Sequence, residues 1–293
     1  MAGAPFDDRD GLIWQDGKLI PWRDATLHVL SHALHYASAV FEGVRVYNGK
    51  VFKLTEHSQR LIDSGEMLGM KIPYTVEELD AATLETVKAN NIVDGYIRPV
   101  AWRGSEMMGV SAQQTSIHVA IATWEWPSYF SPEMRKKGIR LTQSKWRRPA
   151  PDTAPVHAKA AGLYMICTMS KHSAEDKGYD DSLFLNWKGQ VAEATGANIF
   201  LLMPDGKLHT PTPDCFLNGI TRQTVIGLAK QHGYEVVERE IELEELADAQ
   251  EVFVTGTAAE VTPVGEIDQY KFTPGKVCET LIEAYEKAVG KTA

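Results

Sequence analysis

Two prolines near the middle of the chain bracket a segment with no helical or strand period. Pro127-Ser128-Tyr129-Phe130-Ser131-Pro132 cannot continue a helix or cross the middle of a sheet, because proline lacks an amide hydrogen and its ring fixes φ. The chain has 293 residues, so about 100 residues or more lie on either side, the usual size of a domain. We therefore predict a small N-terminal domain over 1–126, a linker over 127–137 and a larger C-terminal domain over 138–293.

The charge balance excludes several classes of protein. Acidic residues outnumber basic ones by 39 to 30, giving a net charge of −9, whereas nucleic-acid and anionic-membrane binders need a surplus of lysine and arginine. No apolar run approaches the roughly 20 residues that cross a bilayer, and Asp7, Asp8 and Asp10 stand where an export signal would be basic. The 3 cysteines are widely spaced and suggest no disulfide framework, so the expected compartment is the cytoplasm.

Short-range signals predict strands and helices in both halves of the chain. Asp16-Gly17 and Asn48-Gly49 are two-residue turn signals between apolar segments and predict antiparallel hairpins. Thr75 and Glu78 match a capping box, which predicts a helix to about Lys88. The other predicted strands are 96–102, 116–124, 182–185, 198–203 and 251–256, and the other predicted helices are 162–177, 221–231 and 277–289. The expected fold class is mixed α/β (α+β) in two domains.

A single lysine is a candidate for covalent chemistry. The stretch 147–155 contains three prolines and predicts an ordered loop. Lys159 follows it, beside Ala160, Ala161 and Gly162, whose small side chains let a flat ligand approach the amine. Partial desolvation there would make the neutral, nucleophilic amine reachable. The alternative is a solvated lysine at a helix start, which is the far commoner situation.

Three histidines have the spacing of a metal site on a helix. His28, His32 and His35 fall at i, i+4 and i+7, which would place the rings on one helical face. Leucines share the segment, and no second ligand motif accompanies it. Such histidines usually satisfy their nitrogens with hydrogen bonds, so we expect no metal, and a histidine-rich metal-binding protein is the remote alternative.

Short motifs throughout the chain carry a family resemblance. In the second half they are Ala158-Lys159-Ala160-Ala161-Gly162-Leu163-Tyr164, Ala192-Glu193-Ala194-Thr195-Gly196-Ala197-Asn198, Gly219-Ile220-Thr221-Arg222 and Thr255-Gly256-Thr257-Ala258-Ala259-Glu260. Their order and spacing resemble the class IV aminotransferases, fold-type-IV enzymes that use pyridoxal 5′-phosphate. In the first half, Val40-Phe41-Glu42-Gly43-Val44-Arg45, Tyr96-Ile97-Arg98-Pro99 and Met108-Gly109-Val110 resemble the branched-chain amino acid aminotransferases. The resemblance implies a two-domain enzyme with the cofactor held between the domains.

The same resemblance implies roles for residues around the cofactor. Lys159 would form the imine link to pyridoxal phosphate and move the proton at the substrate's Cα. Glu193 would face the pyridine nitrogen and keep it protonated, and Tyr164 would hydrogen-bond the ring's O3′. The residues implied to hold the phosphate are Arg60, Ile220, Thr221, Gly256 and Thr257. Apart from the resemblance, a helix is predicted to begin at Thr221. The turn before it would offer free amides and the positive end of the helix dipole to an anion.

The resemblance also implies a substrate pocket that accepts two kinds of side chain. Tyr96 and the amides near Thr257 and Ala258 would bind the α-carboxylate. Arg98 would meet the γ-carboxylate of glutamate. The apolar and aromatic lining would comprise Tyr36, Phe41, Gly43, Met108, Val110, Trp126 and Tyr129. In the family Tyr36, Met108 and Val110 approach from a partner subunit, which implies a homodimer or a higher oligomer with shared active sites.

These expectations describe a cytoplasmic transaminase. It would move the amino group of leucine, isoleucine or valine to 2-oxoglutarate, giving branched 2-oxo acids and L-glutamate, with small molecules rather than nucleic acid or membrane as partners. The alternatives are relatives of the same fold that act on D-amino acids, on amines or as an aminodeoxychorismate lyase. The motifs at 96–99 and 41–43 weigh against each of them.

Overall fold

The computed structural model describes residues 5–126, 134 and 137–291, which fall into two units. Most of the predicted linker lies outside the described residues. The N-terminal unit includes the later segment Ala158–Gly162, which the sequence prediction assigned to the C-terminal domain. The reason is local bonding: the amide of Phe41 donates to the carbonyl of Lys159, and the amide of Lys159 donates to Ser64 Oγ.

The N-terminal unit contains a seven-stranded sheet in the order β2-β1-β7-β6-β4-β5, with β3 paired to β6. All of its pairings are antiparallel. The strands are β1 Leu12–Gln15, β2 Lys18–Pro21, β3 Ala39–Phe41, β4 Val44–Tyr47, β5 Lys50–Val51, β6 Gly95–Arg103 and β7 Ile117–Glu125. The helices are α1 His32–Tyr36, α2 Leu54–Met67 and α3 Val76–Ala89, and a short 3₁₀ turn spans Trp22–Asp24. Helices α2 and α3 pack on this sheet through a buried aliphatic core.

The local sequence signals of this unit are confirmed. Asp16 and Asn48 both adopt a φ of 48° and are followed by glycines of positive φ, which is the backbone of a tight hairpin turn. The Thr75 side chain accepts the amide of Glu78 while the Glu78 carboxylate accepts the amide of Thr75, so the capping box starts α3 as predicted.

The C-terminal unit contains a nine-stranded sheet in the order β10-β9-β8-β15-β14-β11-β12-β13, with β16 on β15. An additional pairing of β10 with β11 closes the first six strands of that order into a ring. The strands are β8 Ile139–Arg147, β9 Asp181–Leu185, β10 Val191–Ala194, β11 Asn198–Leu202, β12 Leu208–Pro211, β13 Val236–Arg239, β14 Glu251–Gly256, β15 Glu260–Ile267 and β16 Tyr270–Lys271. The helices are α4 Met165–Asp176, α5 Ile220–Gln231 and α6 Lys276–Ala288, with 3₁₀ turns at Ala161–Tyr164 and Leu243–Ala247.

The ring encloses a core of fully buried aliphatic side chains, among them Leu141, Leu183, Ile199 and Val254. Successive side chains on a strand face opposite ways, but β10, β11 and β12 are buried at every position. Their outer faces are therefore covered as well. In the part of the chain that the structure describes, no helix is both long and apolar enough to span a membrane.

Candidate active site

Lys159 lies in a backbone segment that is hydrogen-bonded on both sides. Its amide donates to Ser64 Oγ at 3.0 Å, its carbonyl accepts the Phe41 amide at 3.1 Å, and the next residue, Ala160, forms a bridge with Val40. The side chain is half-buried, with Nζ 5.0 Å from the centre of the Phe41 ring. The backbone that carries Lys159 is therefore fixed by hydrogen bonds, and its side chain is less exposed than is usual for lysine.

A buried carboxylate beside this segment organises Arg60. Glu42 is fully buried, and its two oxygens accept from Arg60 Nε at 2.6 Å and Nη2 at 2.8 Å. His57 Nδ1 lies 2.6 Å from the same carboxylate. Burial alone would raise the pKa of Glu42, but the Arg60 guanidinium and His57 hold it far below its ordinary value. Arg60, which the resemblance assigns to the phosphate, is thus a guanidinium fixed in orientation by a bidentate ion pair.

We expect Glu42→Gln to lower the free energy of unfolding by about 3 kcal/mol at neutral pH, because it leaves a largely buried guanidinium without its counter-charge. The folded-state pKa of Glu42 is depressed, so its contribution is complete above the ordinary pKa of 4.5 and is lost as the pH falls. The variant should therefore show a flatter acid dependence than the parent in urea unfolding followed by fluorescence. The control is Glu56→Gln, whose partly exposed ion pair with Lys53 contributes less than about 1 kcal/mol. Equal losses in the two variants would contradict this reasoning.

Three of the predicted substrate residues, Phe41, Tyr96 and Arg98, lie on one face of the N-terminal sheet, because Phe41 pairs with Val100 on β6. Tyr96 and Arg98 are two residues apart on β6, so their side chains lie on the same face. Arg98 Nη2 donates to the Tyr96 hydroxyl at 3.2 Å. The Arg98 guanidinium lies 4.8 Å from the centre of the Phe41 ring. A Cβ on Gly43 would overlap the Tyr96 hydroxyl, so only glycine leaves room for it there. The Trp126 ring lies 5.5 Å from the Tyr96 ring. The structure therefore brings together an aromatic surface and a guanidinium.

This face also carries buried donors without partners. Among the described residues, none accepts a hydrogen bond from Arg98 Nε, from Trp124 Nε1 or from Nε and Nη1 of Arg45. Arg45 is only 4% exposed and stands opposite Tyr96 in the ladder between β4 and β6. Unpaired buried donors are rare and unfavourable, and a carboxylate is the ligand that guanidinium groups bind best. Sequence reasoning did not name Arg45 as a site residue, although its position two residues after Gly43 places both on one face.

Three predicted substrate residues lie instead on the surface of the N-terminal unit. Tyr36, Met108 and Val110 are 44%, 46% and 85% exposed. His32 joins their two segments: its ring stacks on Tyr36, and its Nε2 lies 2.8 Å from the carbonyl of Gly109. These residues therefore form one local surface, apart from the buried Tyr96. Tyr129 lies outside the described residues.

The histidine spacing does not produce a metal site within the described residues. Helix α1 begins at His32, so His28 precedes it and cannot share a helical face with the other two. His32 uses both ring nitrogens, on Ser38 Oγ and Gly109 O, and His35 Nε2 lies 2.9 Å from the carbonyl of Val29. The helical arrangement considered for these residues is wrong because the helix is only 5 residues long.

In the C-terminal unit, Glu193 is a buried acid held by two partners. It lies on β10 and is 7% exposed. Arg148 Nη2 approaches its Oε1 at 2.8 Å, and Asn198 Nδ2 donates to its Oε2 at 3.2 Å. Burial would lower the pKa of Arg148, but the Glu193 carboxylate raises it, so the guanidinium keeps its charge. Tyr164 packs against the neighbouring cluster that includes Phe184.

The turn before α5 leads into the helix without a capping side chain on its last residue. Gly219 is the residue before the helix and, being glycine, has no side chain that could cap the first turn. Its own amide donates to Asn198 Oδ1 at 3.2 Å. Ile220 and Thr221 follow as the first helical residues, with Thr221 buried. The amides at the positive end of this 12-residue helix, which its N-cap residue does not cap, suit an anion.

A second turn lies on the strand next to β11. Thr255 pairs with Asn198 across the ladder between β14 and β11, and Gly256 and Thr257 follow it as half-buried residues with Ala258. A Cβ on Gly256 would crowd the carbonyl of Gly196, so the glycine permits close packing of this turn on the loop after Glu193. Thr255 Oγ1 is buried, and no described residue is a hydrogen-bond partner for it. Glu193, the Gly219 turn and the Gly256 turn are thus joined by contacts within one unit.

Comparisons with known proteins agree on one family. The family described as "Amino-transferase class IV" matches residues 39–267. A branched-chain-amino-acid aminotransferase of Pseudomonas aeruginosa is 43% identical over 293 residues, covering 97% of this chain and 95% of the relative. The T.th. branched-chain amino acid aminotransferase with pyridoxamine 5′-phosphate superposes with a TM-score of 0.93 at 41% identity, covering 97% and 95% of the two chains. The same T.th. enzyme complexed with N-(5′-phosphopyridoxyl)-L-glutamate gives a TM-score of 0.91 at 40% identity, covering 97% and 95%.

The chain belongs to the class IV aminotransferases, and its fold is the fold-type-IV aminotransferase fold. Within that class, the relatives and structures just described are branched-chain amino acid aminotransferases.

Proposed function

We propose that this chain transfers the amino group of leucine, isoleucine or valine to 2-oxoglutarate with pyridoxal 5′-phosphate as cofactor. The observation that carries the substrate class is the single sheet face on which the Phe41 ring, the Tyr96 hydroxyl and the Arg98 guanidinium meet. An aliphatic side chain can pack on the aromatic surface, and the carboxylate of the acidic partner can pair with the guanidinium. A charge enters an apolar site only with such a partner.

Each unit, considered alone, contains residues that fit a part of pyridoxal phosphate. The uncapped turn at Gly219 and Ile220 suits a phosphate dianion. The buried Glu193 suits a protonated ring nitrogen, and the half-buried Lys159 amine suits an aldehyde carbon. Family membership supports the further proposal that groups of both units serve one cofactor.

Each of these side chains would have its own role in the reaction. Pyridoxal phosphate supplies an aldehyde that takes up the amino group and a ring that accepts the electrons released at the substrate's Cα. Lys159 would hold the cofactor through its amine and would take up and return the proton at the substrate's Cα. Glu193 keeps a proton on the ring nitrogen. The Gly219 turn with Thr221, the turn at Gly256 and Thr257, and Arg60 bind the phosphate, while Tyr164 orients the ring by its hydroxyl.

Substrate binding uses different groups for the two carboxylates of the acidic substrate. Tyr96 and the amides at Thr257 and Ala258 bind the α-carboxylate, which orients Cα toward the lysine. Phe41, Gly43 and Trp126 border the side-chain site, with Tyr129 as a further member by resemblance. Arg98 meets the γ-carboxylate of glutamate or 2-oxoglutarate.

Arg98→Ala should lower kcat/KM for glutamate and 2-oxoglutarate by roughly 10²-fold while the leucine half-reaction stays within several-fold, because the lost charge meets only one substrate. Single-turnover rates of the two half-reactions of the holoenzyme measure this. The matched control is Arg103→Ala on the same strand, whose guanidinium already donates to the carbonyls of Gly69 and Ala112; it should change neither rate. An equal loss for leucine and glutamate would assign Arg98 to structure instead.

The exposed surface around α1 supports an assembly of at least two chains. Segments 27–36 and 108–110 expose the large apolar side chains Leu27, Val29, Leu30, Leu34, Tyr36, Met108 and Val110. Isolated monomers seldom expose so much apolar surface together. We propose that a second copy covers this surface and that Tyr36, Met108 and Val110 there line the partner's substrate site.

The cytoplasm is the compartment that we propose for this enzyme. Cys167, Cys215 and Cys278 are free and buried, and burial raises the pKa of each thiol. Buried thiols with raised pKa values are unreactive. Free thiols are typical of proteins in a reducing compartment.

A further inference from the structure

One buried side-chain amide contacts two parts of the C-terminal unit, the Glu193 carboxylate and the turn at Gly219. Asn198 is 4% exposed. Its Nδ2 donates to Glu193 Oε2 at 3.2 Å and to the carbonyl of Leu217 at 3.0 Å. Its Oδ1 accepts the amide of Gly219 at 3.2 Å. Both amide hydrogens and the oxygen are therefore engaged, and each end of the side chain touches a different functional element.

The contact with the Gly219 turn is sterically specific. A Cβ on Gly219 would overlap Asn198 Oδ1, so the two residues approach only because this position is glycine. The residue before α5 is this glycine, which has no side chain to cap the first turn. The acceptor that orients the turn is thus Asn198, which lies 21 residues earlier in the chain. The amides of Ile220 and Thr221 follow in the first turn, where a helix offers its amides no acceptor of its own.

The contact with Glu193 completes the support of that carboxylate. Arg148 holds Oε1 and Asn198 holds Oε2, so a bond on each oxygen fixes the plane of the group. Thr255, which faces Asn198 across the ladder, has a buried hydroxyl with no partner among the described residues. This buried hydroxyl beside the pair is available to bond a ligand.

We propose that Asn198 is a positioning residue that holds the carboxylate of Glu193 and the anion-binding turn at Gly219 at a fixed separation. A ligand with a basic ring nitrogen at one end and a phosphate at the other meets both groups without rearrangement, which reduces the entropic cost of binding. The proposal rests on the proposed cofactor, because pyridoxal phosphate is a ligand of this kind. The family resemblance implies roles for Glu193 and Thr221 but none for Asn198.

Two probes separate the two ends of the ligand. Pyridoxine carries the ring without phosphate or aldehyde, and inorganic phosphate carries only the anion. Their affinities for the cofactor-free full chain are measured by competition with pyridoxal phosphate. We expect Asn198→Ala to weaken both probes by about tenfold each, the scale of one hydrogen bond to a charged group. Glu193→Gln should weaken pyridoxine alone, and Thr221→Ala should weaken phosphate alone.

A second variant tests the coupling from the opposite end. Gly219→Ala introduces the Cβ that overlaps Asn198, so it should weaken pyridoxine as well as phosphate although it lies in the phosphate turn. In the double variant with Asn198→Ala the overlap is gone, and the pyridoxine loss should be no larger than in Asn198→Ala alone. If circular dichroism shows that Asn198→Ala does not fold, the single variant Gly219→Ala still tests the proposal.

The matched control is Asn186→Ala. Asn186 is a buried asparagine of the same unit, whose side chain bonds among the described residues to Gln190 and Lys188, and its loss should leave both affinities unchanged. A loss confined to one probe in Asn198→Ala, or an unchanged pyridoxine affinity in Gly219→Ala, would overturn the proposal. A parent protein that binds neither probe nor pyridoxal phosphate would instead contradict the proposed function.

Discussion

Lys159→Ala should abolish transamination while the chain still folds. Both the link to the cofactor and the proton transfer at the substrate's Cα depend on this amine, so the expected loss in rate is on the order of 10⁴-fold or more. The fold should survive because the bonds that fix the segment come from the backbone: the Lys159 amide on Ser64 Oγ and its carbonyl on the Phe41 amide. Rates with leucine and thermal unfolding of the same preparation measure the two effects.

Two further variants show what the amine contributes. Lys159→Arg keeps the positive charge near Phe41 but cannot deprotonate, so it should be as inactive as the alanine variant. Lys188→Ala removes an exposed lysine of the C-terminal unit, which is paired with Glu240 of the same unit, and should leave the rate unchanged. Activity in Lys159→Ala comparable with that of the parent would disprove the assignment.

Glu193→Gln should lower kcat by about 10²-fold or more, the usual scale for losing one electrostatic partner of a developing charge. Cofactor affinity should fall less, because the phosphate contacts remain. The neutral amide also leaves Arg148 buried without its counter-charge, so thermal unfolding must be measured beside the rate.

The conservative variant separates charge from structure. Glu193→Asp retains the negative charge and should recover part of the lost kcat, while Glu175→Gln, on the exposed side of α4, should have no effect on kcat. An unchanged kcat with only weaker cofactor binding in Glu193→Gln would show that Glu193 is a contact and not an electronic partner.

The elements predicted correctly from the sequence are those with local causes. The hairpin at Asn48-Gly49 depends on two adjacent residues of positive φ, and α3 depends on a capping box within four residues. Helix α2 was missed because its start has no such signal: Lys53 precedes it in a left-handed conformation without a side-chain cap. Strands β10 and β12 were missed because they are buried on both faces and show no alternation of polar and apolar residues.

The same distinction between local and long-range causes applies to the residues of the site. Lys159 and Glu193 could be named because whole motifs surround them. The groups that hold them could not, since Ser64 lies 95 residues from Lys159 and Arg148 reaches Glu193 only after β8 and β10 have paired with β9. The placement of Ala158–Gly162 in the N-terminal unit also depends on contacts that have no sequence signature.

Borohydride reduction of the holoenzyme, followed by mass spectrometry of its peptides, tests the central assignment most directly. Reduction converts the link between the cofactor and its lysine into a stable bond, so the protein should lose its yellow colour and keep the cofactor. We expect the phosphopyridoxyl group on Lys159 and on no other lysine. A label on any other lysine, or a cofactor that leaves the reduced protein unattached, would contradict the assignment of Lys159 and the mechanism built on it.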